Sequence, residues 1–207
     1  MLELGDLEGI AADVLGATAC AMPVDALRLA TLCGLRVQHG RPERLDLDAG
    51  IIFVDVRARA ERVQGTVAHE LGHFALDRAG EADSEDAASY IGAALIAPRP
   101  IVAGHVRHAG PLDLAGLRAA CPNASTTLLA RRVSEVRDAV VSIVDHGRVR
   151  ARVASPWLPR PAQRLDRLER LLVDGALQHE QTVRARDVVA VPLIDGRWRR
   201  VVVLRAS

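Results

Sequence analysis

Residues 66–77 read TVAHELGHFALD, two histidines four apart with a glutamate directly after the first. On a helix, residues four apart share one face and lie about 6 Å apart along the axis. His69 and His73 can therefore turn their imidazoles onto one ion, which zinc accepts at about 2.0–2.1 Å from each nitrogen. Glu70 is rotated about 100° from His69. That is a poor angle for the same ion and a good one for a water beside it. A hydrolytic zinc keeps three protein ligands and one open position. The spacing thus predicts metal ligands at His69 and His73, a catalytic carboxylate at Glu70, and a third ligand elsewhere in the chain.

A third histidine six residues after His73 is absent, since position 79 is Ala. Asp77 lies about 12 Å along the helix from His69, and an N–H partner or capping role suits it better. The next acidic cluster is GEADSEDAAS, 80–89, with Glu81, Asp83, Glu85 and Asp86. With Asp83 as the helix cap, Glu85 falls in the first turn and Ser89 one turn on, on the same face. Glu85 is the favoured third ligand and Glu81 the second choice. Ser89 is placed to hold the free N–H of a ligating imidazole. Carboxylates in a first helical turn also stabilise the macrodipole whatever else they do.

These groups need elements to position them. Apolar residues at Val63, Val67, Leu71 and Phe74 predict a helix from about 59 to 77, and a second helix runs from about 83 to 97, stopped by PRP. Earlier, 2–17 and 23–34 read as helices, the latter opened by Pro23 and Asp25 and closed by Gly34. LRV (35–37) and GIIFVDV (50–56) read as short strands, and the second is a candidate edge for an extended substrate. Helices at 112–121 and 125–139 follow.

Beyond them the pattern changes to two hairpins, AVVSIVDHGRVRARVA (139–154) and VVAVPLIDGRWRRVVVLR (188–205), flanking an amphipathic helix with Leu165, Leu168 and Leu172. The expectation is an α+β chain with a domain at 1–138 and a smaller α+β domain at 139–207 for recognition or oligomerisation. Trp157 and Trp198 in that tail are read as core or interface anchors.

Composition narrows the classes. The chain has 207 residues, 49 % of them hydrophobic and only 2 % aromatic, so its core is aliphatic. All 27 basic residues are Arg and the net charge is +1, too small a field to argue for nucleic acid. Cys20, Cys33 and Cys121 are odd in number and widely spaced, which suits a reducing compartment. The acidic N-terminal stretch is unlike a signal peptide, and no apolar run approaches the roughly 20 residues of a membrane span. A soluble, cytoplasmic protein is expected.

Taken together, Arg62, Thr66, Ala68, His69, Glu70, Gly72 and His73, with EDAAS at 85–89 and LIAP at 95–98, resemble the ImmA/IrrE family of zinc metallopeptidases. The resemblance runs from 23 to about 133. Gly65 stands where the family prefers an aromatic residue, and Ser89 where it prefers Asn or Asp. It implies a small, helix-rich, zincin-like core with a short sheet and a bound Zn2+. It also implies a cytoplasmic endopeptidase whose partner is a protein substrate, a helix-turn-helix transcriptional repressor. Cutting that repressor would release mobile-element or stress-response genes.

Two other classes compete. A DNA-binding regulator would use the helix pair at 112–121 and 125–139, with Arg131, Arg132 and Arg137 on its second member; packing of both helices on the core is preferred, which leaves no direct nucleic-acid partner. A zinc-bound sensor without proteolytic activity would keep the metal and lose the reaction. For the group that steadies the oxyanion, Tyr90, His105 and His108 are the candidates.

Overall fold

The computed structural model describes residues 2–106, 113–195 and 198–206. The chain is α+β, with two sheets among the described residues. It divides into two compact units: 1–101 with 118–125, and 102–117 with 126–207.

The first unit begins with α1 (Leu4–Thr18) and α2 (Ala26–Leu32). Asp25 caps α2, accepting from the N–H groups of Leu27 and Arg28. Three strands follow, β1 (Arg36–His39), β2 (Arg44–Asp46) and β3 (Ile51–Val54), in the order β1-β3-β2. β3 pairs parallel with β1 and antiparallel with β2. The strand expected to offer a free edge is therefore the central one, and both of its sides are taken. β1 and β2 are the two edge strands, and β2 is only three residues long.

Two helices then carry the acidic and histidine clusters, α3 (Ala60–Ala79) and α4 (Glu85–Ile96). Gly80, at φ 71°, turns the chain out of α3, a left-handed conformation that glycine adopts without steric cost. Only 81–84 separate it from α4, so the helices form a tight hairpin. A Cβ on Gly72 would stand 2.1 Å from the Ala88 carbonyl oxygen, and one on Gly92 2.5 Å from that of Ala68. The pairing 72 with 88 and 68 with 92 runs antiparallel, and it is close enough that only glycine fits at either crossing. Leu71, Leu76, Ile91, Leu95 and Ile96 are buried around it, with Leu29 and Ile52 from α2 and β3.

Polar anchors fix the neighbours. Gln64 of α3, itself buried, accepts the Ala26 N–H at 2.7 Å and donates to Asp25 at 3.0 Å, tying the start of α2 to α3. Tyr90 of α4 donates its hydroxyl to Glu8 of α1 at 2.8 Å.

A fifth helix, α5 (Arg99–His105), continues past the PRP at which the sequence suggested a stop. Pro98 and Pro100 sit at its very start, where a missing N–H costs no intrahelical bond. α6 (Leu114–Ala120) and α7 (Thr126–Val136) occupy the expected helix pair.

The second unit holds β4 (Ala139–Asp145), β5 (Arg148–Ala154), α8 (Arg167–His179), β6 (Val183–Ala185), β7 (Val188–Asp195) and β8 (Trp198–Ala206). The two expected hairpins merge into one antiparallel sheet, ordered β5-β4-β8-β7-β6, because β4 pairs with β8. His146 and Gly147 turn the first hairpin, both at positive φ; the turn residues 196–197 of the second lie outside the described residues. Leu172, Val173 and Ala176 of α8 bury against Val144, Val188, Ala190, Val201 and Val203. The alternate side chains Val141, Ile143, Val202 and Leu204 are buried too, so both sheet faces are covered. α7 packs on β4 and β5. This grouping differs from a boundary near 138, since 102–117 and 126–138 go with the sheet.

Trp157 is exposed rather than a core anchor, and its indole N–H donates to Asp138. No single helix is long and apolar enough to cross a membrane.

Candidate metal centre

The histidine face of α3 opens into a cleft of about 870 Å³, entirely within the first unit. The structure brings His69, His73 and Glu85 together there, with one ligand atom from each lying within 4.8 Å of the others. The two Nε2 atoms are 3.2 Å apart. Two nitrogens sharing a tetrahedral zinc at 2.0–2.1 Å stand about 3.3 Å from each other, so the imidazoles are spaced for one ion. Glu85 Oε2 lies 3.2 Å from His69 Nε2, and Oε1 3.7 Å from His73 Nε2. Glu85 is the first residue of α4 and is 81 % exposed. Glu81, the second choice, does not join the group.

The far ends of both rings are engaged. Asp83 Oδ1 stands 2.5 Å from His73 Nδ1. A carboxylate only accepts, so the proton sits on Nδ1 and the lone pair of neutral His73 is on Nε2, facing Glu85. Ser89 Oγ lies 3.2 Å from His69 Nδ1, as the one-turn spacing from Glu85 predicts. One expectation changes here. The helix cap is Ser84, which accepts the Ala87 N–H, and not Asp83. The partner of the His73 N–H is Asp83, from the turn after the histidine helix. Both Asp and Ser cap helices well, so the sequence could not choose between neighbours; only the fold turns Asp83 back towards α3.

Glu70 is buried at the cleft wall. Burial lifts its carboxyl above the ordinary glutamate value, opposed by His69 and His73 and by a hydrogen bond from the Leu45 backbone N–H. Arg44 and Leu45 of β2, with Leu47 just after it, share the cleft wall with the histidines. The sequence did not reveal β2, because three residues carry no readable alternation.

Neither Tyr90 nor His105 lines the cleft. Tyr90 is buried against α1 through Glu8. His105 faces Asp113 at 3.3 Å within the second unit. His108 lies outside the described residues. On α7, Arg132 is completely buried and pairs with Glu135, Arg131 reaches the same Glu135 at 3.2 Å, and Arg137 is also buried. Arg132 and Arg137 are therefore turned inward, and of the three arginines only Arg131 is exposed.

A helix hairpin with His-Glu-x-x-His on one arm, a carboxylate on the other and a short strand edge alongside is a metallopeptidase-type domain. Residues 12–103 match the family Peptidase_M78, described as an IrrE N-terminal-like domain, which is consistent with the ImmA/IrrE resemblance of the motifs. The match ends before the helix pair that the resemblance had included. No curated protein matches the chain. A solved structure described as a Mycobacterium tuberculosis transcriptional regulator shares the fold, with a TM-score of 0.62 at 15 % identity, covering 97 % of this chain and 76 % of its own.

Proposed function

We propose that the chain is a zinc-dependent endopeptidase that cleaves a transcriptional repressor. The observation that carries the hydrolytic part is the pair of Nε2 atoms 3.2 Å apart and facing Glu85. His69, His73 and Glu85 would hold the ion, with Asp83 and Ser89 fixing the two rings from behind. When bound, zinc supplies a Lewis acid that polarises the scissile carbonyl and makes a water acidic enough to attack at neutral pH. Glu70 receives the proton of the attacking water on its carboxylate and passes it to the leaving nitrogen. The outer edge of β2 runs along the same cleft wall, and its main-chain groups other than the Leu45 N–H, which faces Glu70, can pair with an extended peptide.

The repressor as substrate rests on the family resemblance, and the fold neighbour described as a transcriptional regulator agrees with a setting in gene control. A zinc-bound sensor that cleaves nothing is the alternative, and the same residues would serve it. The deciding experiment compares wild type with Glu70→Gln on repressors encoded beside the gene. Zinc content should be equal in both, and only wild type should cut. Equal cutting by both proteins would remove Glu70 from the mechanism, and no cutting by wild type would favour the sensor.

A further inference from the structure

Three glycines lie within helices α3 and α4, and only two are demanded by packing. Gly72 and Gly92 each meet a facing backbone carbonyl. Gly65 does not: a Cβ there would find nothing within 4 Å. It sits inside a 20-residue helix, where glycine costs stability relative to alanine, and it lines the cleft one turn before His69.

We propose that the space over Gly65 is a side-chain subsite, and that it takes a large apolar residue of the substrate peptide; this rests on the peptidase reading. Four residues of helix advance about 6 Å, and an extended peptide advances about 3.3 Å per residue. A chain lying along β2 with its scissile bond at His69 therefore brings a side chain within two residues of that bond over Gly65. Beside the charged Glu43, Arg59, Glu61 and Arg62, the cleft offers two apolar side chains to such a guest. Leu45 and Leu47 line the same cleft, and Leu47 leaves 47 % of its surface uncovered. Arg44, the cation on that strand, is already stacked on the Phe53 ring at 4.4 Å.

The test uses the full-length zinc-loaded protein and a mixed-sequence decapeptide library, with cleavage sites read by mass spectrometry. Binding of individual peptides to the Glu70→Gln protein, read by fluorescence anisotropy, supplies a measure independent of turnover. Wild type should favour Leu, Phe or Trp over Ala at one position within two residues of the cut by about tenfold or more. Gly65→Phe should abolish that ratio in both measurements, and Gly65→Ala should keep most of it. Leu47→Asp, which leaves the helix untouched, should also lower the ratio if Gly65→Phe fails to fold.

An unchanged ratio in Gly65→Phe, or a wild-type preference for Asp or Glu at that position, overturns the subsite and leaves the peptidase reading intact. Size-selective binding that depends on Gly65, with no cleavage by wild type, supports the subsite and overturns the peptidase reading. Neither binding nor cleavage of any library member overturns both.

Discussion

Asp83 and His73 meet across the α3–α4 turn with 2.5 Å between Oδ1 and Nδ1, and that contact decides which imidazole nitrogen is free to ligate. Asp83 is otherwise exposed and contributes little packing. Asp83→Asn should weaken zinc binding by about 10–100-fold while leaving the unfolding midpoint of the metal-free protein nearly unchanged. Competition with a chromophoric chelator measures the first and denaturant titration the second. Equal zinc affinity in the two proteins would reduce Asp83 to a bystander.

The closeness of the helices can be tested at Gly72. Gly72→Ala puts a methyl 2.1 Å from the Ala88 carbonyl oxygen, an atom of backbone that cannot swing aside. The helices must part, at a cost of about 1–3 kcal/mol or more, and His69 and Glu85 should separate with them. Lower stability together with weaker zinc binding is expected from urea titration and chelator competition. A variant as stable as wild type would mean the hairpin is looser than described.

In the second unit, Arg152 and Glu169 form an ion pair that is almost wholly buried, joined by bonds of 2.8 and 2.9 Å. Glu169→Ala leaves the Arg152 charge uncompensated in the interior, and should cost about 3–5 kcal/mol. Replacing both, as Arg152→Met with Glu169→Leu, should recover much of that loss. Thermal unfolding of the two variants distinguishes the outcomes, and a double variant no better than the single one would contradict the assignment.

Asp145 gives a pH signature. Two hydrogen bonds from Arg200, at 2.6 and 2.8 Å, hold its carboxyl below the ordinary aspartate value. The folded state therefore binds this proton less readily than the unfolded chain. Its contribution is complete above the unfolded value of about 4 and drains away as pH falls through the lower folded value. Asp145→Asn should lose roughly 1.5–3 kcal/mol at neutral pH, with the gap to wild type narrowing below about pH 4. Stability measured from pH 7 down to 3 would show a constant gap if Arg200 were not the cause.

Local pattern carried much of this structure. The long histidine helix announced itself by apolar spacing and ended at Gly80, and four-residue spacing alone paired His69 with His73. Glu85 and Ser89 followed from one turn of helix. What failed to show was non-local. Whether β3 is central or at an edge depends on a partner strand, β2, too short to read. The choice of Asp83 as partner and Ser84 as cap depends on where the turn folds back. The burial of Arg132 and Arg137 depends on a sheet that lies after them in sequence, so a helix that reads as basic and open leaves only Arg131 of the three exposed.

The two units interleave along the chain. After 102–117 have joined the second, 118–125 return to the first, and Ser125 supplies part of the cleft wall. No single scission can therefore release both halves whole. A fragment stopping at Ile101 forfeits Ser125, and one stopping at 138 strands Leu129 and Val133 without the strands that shelter them. The segments that carry the candidate metal centre and those that carry the C-terminal sheet thus alternate along the chain.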